Sequence, residues 1–252
     1  MTDRGLYGRA GNAWSTRLGG DHFHPGGEAA TAALLTAARG FGFGAVPFVL
    51  DVGCGAGGPA RTLARRLGTD VVGVDVGGEL LPRAHAAARA DELWLRCGFV
   101  RATVASLPFA DASVPALWSV GALVHAEVAA ALTEVARVAA PGALFALADW
   151  VCAEDMTDED RENVAQLEYR LVPPVAYQAA LERAGFAVLL AEPEPPPEPL
   201  ATAPRDEHAW QTQFLLRFGP RALHAELTRS RAWASLVQRE RVAHWRFITR
   251  RR

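Results

Sequence analysis

One stretch of this 252-residue chain restricts its folding more than any other: Val49-Leu50-Asp51-Val52-Gly53-Cys54-Gly55-Ala56-Gly57-Gly58-Pro59. An apolar run leads into closely spaced glycines and then a proline. A buried strand must here turn sharply into a helix, and glycine permits the dihedrals while leaving room for a ligand against the backbone. Proline suits the first helical turn, where its missing N–H costs nothing. Ala60, Leu63, Ala64 and Leu67 then follow the i, i+3, i+4, i+7 stripe of a helix with one buried face, and Gly68 supplies the stop.

Similar alternation extends on both sides. Short apolar runs at Val46–Val52, Val71–Val76, Phe99–Val104, Ala116–Val120 and Ala143–Asp149 read as buried strands. Helical patterns occupy residues 27–38, 78–90 and the stripe Val128, Leu132 and Val135. Strict strand–helix alternation predicts a parallel sheet with helices on both faces. The second half is less regular. Helices are expected at 157–170, with Thr157 as N-cap and Asp160 three residues on, and at Pro174–Ala184. Phe186–Leu190 reads as a sixth strand, Pro193–Pro199 as an extended connector, 206–217 and 220–242 as helices, and Trp245–Thr249 as an edge strand. The expected organisation is a single domain, 1–252. Its core comprises about 28–150, 174–192 and 244–250, and its lid or substrate elements about 1–27, 151–173 and 193–243.

Composition narrows the function. The net charge of -2 gives no basic footprint for nucleic acid. All basic residues are arginine, which reads as the codon usage of a GC-rich genome. Cys54, Cys97 and Cys152 are widely spaced and odd in number, so neither a disulfide framework nor a zinc site is expected. No apolar run reaches the ~18 residues of a membrane span, and no signal peptide opens the chain, so a cytoplasmic protein is expected.

Gly53, Gly55 and Gly58, with Asp75 about 20 residues on, also satisfy the G-x-G-x-x-G dinucleotide fingerprint. On its own, therefore, the turn suits a nicotinamide cofactor as well as any other nucleoside-bearing one. Three ordered segments go further. The stretch VLDVGCGAGGPA, with Asp51 before the first glycine, resembles the first motif of class I S-adenosylmethionine-dependent methyltransferases. Ser106-Leu107-Pro108-Phe109-Ala110-Asp111 is similar to the segment after strand three in their ubiquinone/menaquinone, sterol and natural-product branch. Arg137-Val138-Ala139-Ala140-Pro141-Gly142 is similar to that branch's turn before strand five. The resemblance implies an α/β, Rossmann-like, seven-stranded, mostly parallel sheet with helices on both faces. The N-terminal segment and C-terminal helical insertions would form a lid. It implies S-adenosyl-L-methionine as donor and S-adenosyl-L-homocysteine as product.

The resemblance also assigns roles. Backbone at Gly53, Cys54 and Gly55 would lie against the donor's methionine part and ribose, Asp51 would meet its amino group, and Asp75 would accept both ribose hydroxyls. Val76 would flank the adenine. Thr103 stands where the family usually has an acid for the adenine amino group; its hydroxyl accepts a weaker bond, and the Val104 N–H is placed to bond the ring. Ser119, within Trp118–Gly121, would run past the sulfur, and Gly26 with Gly27 would close over the methionine end, joined by Tyr7. His125 and Asp149 follow the fourth strand and end the fifth, where ligands bind in open α/β sheets. His125 is the expected base, and Asp149 is expected to orient it or bind substrate. His22-x-His24 is too small a ligand set, and no metal is expected. Trp150, Tyr169, Trp210, Phe214 and Phe218 would line an apolar acceptor pocket. The expected reaction is O-methylation of a small natural product or metabolite. N- or C-methylation and non-catalytic S-adenosylmethionine binding are the alternatives. The expected partner is a small-molecule acceptor, in a chain that could form a homodimer.

Overall fold

A computed structural model describes residues 20–44, 46–167, 169–194 and 207–252. The first strand, β1 (Phe48–Val52), has every residue after Phe48 buried, which is why it reads as a continuous apolar run. It follows α1 (Gly27–Gly40) and leads into α2 (Gly58–Leu67), which opens on Pro59 and closes on Gly68 in the left-handed conformation. Then come β2 (Asp70–Asp75), α3 (Leu81–Ala90), β3 (Cys97–Arg101), β4 (Val114–Val120), α4 (Val128–Val138) and β5 (Ala139–Cys152). The remainder comprises α5 (Asp158–Ala165), α6 (Pro174–Arg183), β6 (Phe186–Pro193), α7 (Glu207–Phe218), α8 (Pro220–Gln238) and β7 (Val242–Arg251).

The seven strands lie in the order β3-β2-β1-β4-β5-β7-β6. Strands β3 to β5 pair in parallel, and β7 is antiparallel to both β5 and β6. This is the α/β class expected from the alternation. The strand order reverses between β1 and β4, so a crevice opens beyond the carboxyl ends of those two strands. Two cores flank the sheet. Leu34, Leu63 and Ala84, from α1 to α3, pack on one face with Val49 and Trp118. Leu132 and Tyr177, from α4 and α6, pack on the other with Leu50 and Phe145. A third cluster joins Val124, Trp150, Met156, Val164 and Leu236, fastening α5 and α8 beside the far end of β5.

The structure differs from the sequence expectations in five places, and one is β5, which begins at Ala139 and runs on to Cys152, so Asp149 lies inside it rather than at its end. Trp245–Thr249 does not form an edge. It belongs to β7, held between β5 and β6 with Phe247, Ile248 and Thr249 fully buried, and β6 takes the edge instead. The helix expected over 157–170 stops at Ala165, and that expected over 220–242 stops at Gln238, because Val242 is already paired with Cys152. Strand three ends at Arg101, and the chain folds back through an isolated Thr103–Ser106 bridge, so Thr103 and Val104 sit on a turn. Residues 195–199 of the proline run and Tyr7 lie outside the described residues.

A buried carboxylate anchors the C-terminal half. Asp160 closes a reciprocal capping box with Thr157, and its oxygens accept from Arg239 at 2.8 Å and Arg241 at 3.2 Å. Burial alone would raise its pKa. The Thr157 amide and hydroxyl and the two guanidiniums outweigh that and hold it at about 2. The folded pKa lies below the unfolded ~3.9, so this stabilisation is complete above that value and is lost as pH falls towards 2. Asp160→Ala is therefore expected to lower the melting temperature at pH 7, and thermal scans should show the gap from the parent chain narrowing below pH 4.

Candidate functional site

Three strand ends are stitched together around the glycine turn. The amides of Gly53 and Cys54 both donate to the Val74 carbonyl, at 2.8 and 3.0 Å. The Asp75 carboxylate accepts the Gly55 amide at 2.8 Å on one oxygen and the Gly77 amide at 2.7 Å on the other. The Ser119 hydroxyl donates to the Val52 carbonyl at 2.9 Å, closing β4 onto β1. Gly53 has φ 77°, and a Cβ there would overlap the Ala122 methyl beyond β4, so only glycine lets the two loops approach this closely.

Two carboxylates sit at this junction. Asp51 is buried, and its Oδ2 has no hydrogen-bond partner. Burial, reinforced by the neighbouring Asp75 charge, pushes its pKa up to about 8. Asp75 is also raised by burial, against the pull of the Gly77 and Gly55 amides. An unpartnered buried carboxyl is costly unless a complementary group meets it. Val76, the next residue, is exposed. The turn carrying Thr103 and Val104 is tied in by the Ala102 amide donating to the Asp75 carbonyl at 3.0 Å. The Thr103 hydroxyl accepts the Ala105 amide at 3.3 Å, bracing that turn. Cys54 is buried, and burial raises its thiol pKa.

The N-terminal segment packs against the same junction. Gly26 caps α1 in the left-handed conformation, and the Gly58 amide donates to the Asp21 carbonyl at 3.2 Å. Arg61 bridges Asp21 and Asp91. His22 Nε2 meets the Thr62 hydroxyl at 3.0 Å. His24 is buried, which lowers its pKa to about 4. Its Nδ1 donates to the Pro25 carbonyl, so Nε2 of the neutral ring accepts the Thr31 hydroxyl. The two histidines thus fasten the segment to α2 and α1.

Farther along the sheet edge, His125 ends a short 3-10 turn, Leu123–His125, and is exposed with its ring edge-on to Tyr169 at 5.1 Å. Asp149 is buried beneath that turn. It accepts the Trp150 amide at 2.9 Å, the Val124 amide, and the Tyr177 hydroxyl at 3.4 Å. Burial still lifts its pKa to about 6. These contacts make Asp149 a brace for the turn that carries His125. Aromatic rings continue inward from there. Tyr169 meets Trp233 at 5.2 Å, Trp233 meets Trp150 at 4.8 Å, and Trp150 meets His244 at 5.2 Å. Of the other expected pocket aromatics, Trp210 and Phe214 are buried against each other within α7. Trp118 is core, packed on Phe43.

Residues 49–142 match the family described as "Methyltransferase domain". A sterol 24-C-methyltransferase of Gibberella zeae is 31% identical over 150 residues, covering 56% of this chain and 40% of the relative. The glycine turn, the LPF segment and the strand reversal all fall within residues 49–142. That stretch carries the pattern of a methyltransferase domain. The chain spans about two fifths of the length of that curated relative. Two solved structures share the fold of the methyltransferase domain. The [4+2]-cyclase SpnF has TM-score 0.80 and 22% identity, covering 100% of this chain and 97% of that one. A phosphoethanolamine N-methyltransferase 2 from Haemonchus contortus, in complex with S-adenosyl-L-methionine, has TM-score 0.76 and 21% identity, covering 99% and 58%.

The sequence carries no pattern for His244 and Glu194, because the last strand was expected at the sheet edge and a lone histidine beside it has no partner spacing. Two consequences of the junction are measurable without any ligand. Gly53→Ala is expected to cost about 1–3 kcal/mol by denaturant titration, through the overlap with Ala122. Asp51 has its folded pKa above the unfolded one, so it destabilises the fold progressively as pH rises from about 4 to about 8. Asp51→Asn removes that penalty, and its gain in melting temperature is expected to grow between pH 5 and pH 9.

Proposed function

We propose that this domain binds S-adenosyl-L-methionine in the junction of β1, β2 and β4, and methylates a hydroxyl of a small organic acceptor lying towards His125. The observation that carries this reading is the unpartnered Oδ2 of buried Asp51, one strand from the Asp75 carboxylate. Adjacent strands lie about 4.8 Å apart. Asp51 suits the donor's ammonium, and Asp75 still has lone pairs free for the two ribose hydroxyls after accepting its two amides. Backbone at Gly53, Cys54 and Gly55 lies along the donor between them, with Gly26 and Ser119 bounding its methionine and sulfur side. Val76, Thr103 and Val104 bound the adenine.

When bound, the donor supplies an electrophilic methyl on a sulfonium. Little covalent chemistry is left to the protein, so alignment and exclusion of water dominate. Asp149, through the Val124 amide, fixes the turn that presents His125 to the acceptor. Aromatic faces from Tyr169 and Trp233 favour an acceptor with a lipophilic or aromatic part. The sterol methyltransferase relative supports a small apolar acceptor and keeps C-methylation as the nearest alternative. A second reading, donor binding without methyl transfer, draws on the shared fold of the [4+2]-cyclase.

Calorimetry with S-adenosylhomocysteine tests the donor site. Asp75→Ala is expected to weaken binding about 10- to 100-fold, the loss of one or two charge-assisted bonds, and unchanged affinity would contradict the ribose role. An ammonium beside Asp51 favours its charged form, so binding at pH 7 should release a proton. Heats measured in buffers of different ionisation enthalpy should show that release, and Asp51→Asn should abolish it. His125→Ala is expected to raise KM for the acceptor with donor affinity retained, and wild-type turnover in that variant would remove His125 from the acceptor site.

A further inference from the structure

The mechanism above leaves one buried histidine unused. His244 lies on β7, paired with Trp150 on β5, one residue beyond Asp149. Its Nδ1 meets the Glu194 carboxylate at 2.6 Å. The Glu194 amide donates to the His244 carbonyl at 2.8 Å, so the pair is fixed by backbone as well as side chain. Only 4% of His244 is exposed, and its Nε2 has no hydrogen-bond partner. An ionised carboxylate only accepts, so Nδ1 carries the ring proton, and in the neutral imidazole Nε2 presents a bare lone pair.

We propose that His244, oriented by Glu194, is the base that removes the acceptor's hydroxyl proton. This rests on the methyl-transfer reading above. The acceptor O–H bond breaks and its proton passes to the Nε2 lone pair. The oxygen forms the new bond to the methyl carbon as the carbon–sulfur bond breaks, its electron pair staying on sulfur. An imidazolium, an ether and a neutral thioether result. His244 is two strands from β4, about 10 Å, on the sheet face that Trp118 shares. The reacting oxygen has to lie between the two, within hydrogen-bond reach of Nε2 and in contact with the donor methyl. The rings of Tyr169, Trp233 and Trp150 lead from exposed His125 to His244, so access to Nε2 requires Trp150 or Trp233 to turn. Besides Glu194, the titratable groups whose charge reaches His244 are Asp149, on the opposite face of the sheet, and His24 from the segment before α1. Asp149 would steady the imidazolium, and neutral His24 leaves it unopposed. Glu194 acts as the positioning residue.

The test uses the full chain labelled with 15N-histidine and saturated with S-adenosylhomocysteine, with phenol as the hydroxyl probe. The His244 signals should report an Nδ1-protonated ring, and phenol should shift Nε2. Glu194→Gln should redistribute the tautomers. In parallel, donor turnover is measured over a panel of phenols and secondary alcohols. His244→Gln, which keeps a polar side chain and should leave the circular-dichroism spectrum unchanged, should lower kcat about 10²- to 10⁴-fold with donor affinity retained. Glu194→Gln should move the acidic limb of the kcat/KM profile. A phenol-insensitive Nε2, or wild-type kcat in His244→Gln, would overturn the proposal. If the parent chain fails to bind S-adenosylhomocysteine at all, the methyl-transfer reading itself falls, which is a separate result.

Discussion

The Asp75 carboxylate, shared between the Gly55 and Gly77 amides, is the interaction on which the rest of the site depends. It fixes the glycine turn after β1 against the turn after β2, at the place where the strand order reverses. Buried carboxylates are stable when hydrogen-bonded and costly when not. Asp75 meets that condition through backbone alone. Asp51, one strand away, does not, and the repulsion between the two adds to its raised pKa. One oxygen is therefore held in an unfavourable state that a bound cation relieves. The fold carries this local cost because the surrounding strands are buried on both faces and closely fastened.

The acceptor half is built differently. Its polar groups are histidines and carboxylates separated by aromatic rings, on elements drawn from four parts of the chain. Asp149 braces one turn, Glu194 holds one imidazole, and Asp160 with Arg239 and Arg241 fixes α5 to the end of α8, the helix that carries Trp233 and Leu236. The third hydrophobic cluster fills the space between them. On the proposed reading, the acceptor side thus draws on packing that is remote in sequence, whereas the donor side draws on a contiguous loop.

That difference explains what was legible beforehand. The glycine turn, the parallel half of the sheet and the Asp51–Asp75 pair follow from local spacing, because strand, turn and helix are consecutive there. The antiparallel half was misread at its edge. Nothing local to Trp245–Thr249 reveals that the strand after it in space is β6, so that strand was expected outside. Thr103 and Val104 were read onto a strand because their β-branched chemistry continues Phe99–Val100, yet the chain turns back at Ala102. His125 lies on the short turn after β4, and Asp149 lies inside β5 beneath it rather than at its end. The bonds from Asp149 to the Val124 amide and to Tyr177, 28 residues away, are tertiary and have no sequence signature.

In the proposed complex, Asp51 and Asp75 divide the donor between them. The most direct measurement is a crystal structure of the chain with S-adenosylhomocysteine. The ribose hydroxyls should lie on the Asp75 carboxylate, and the amino group should lie within hydrogen-bonding distance of Asp51 Oδ2. A ligand bound elsewhere, or an Asp51 Oδ2 still without a partner in the complex, would contradict it.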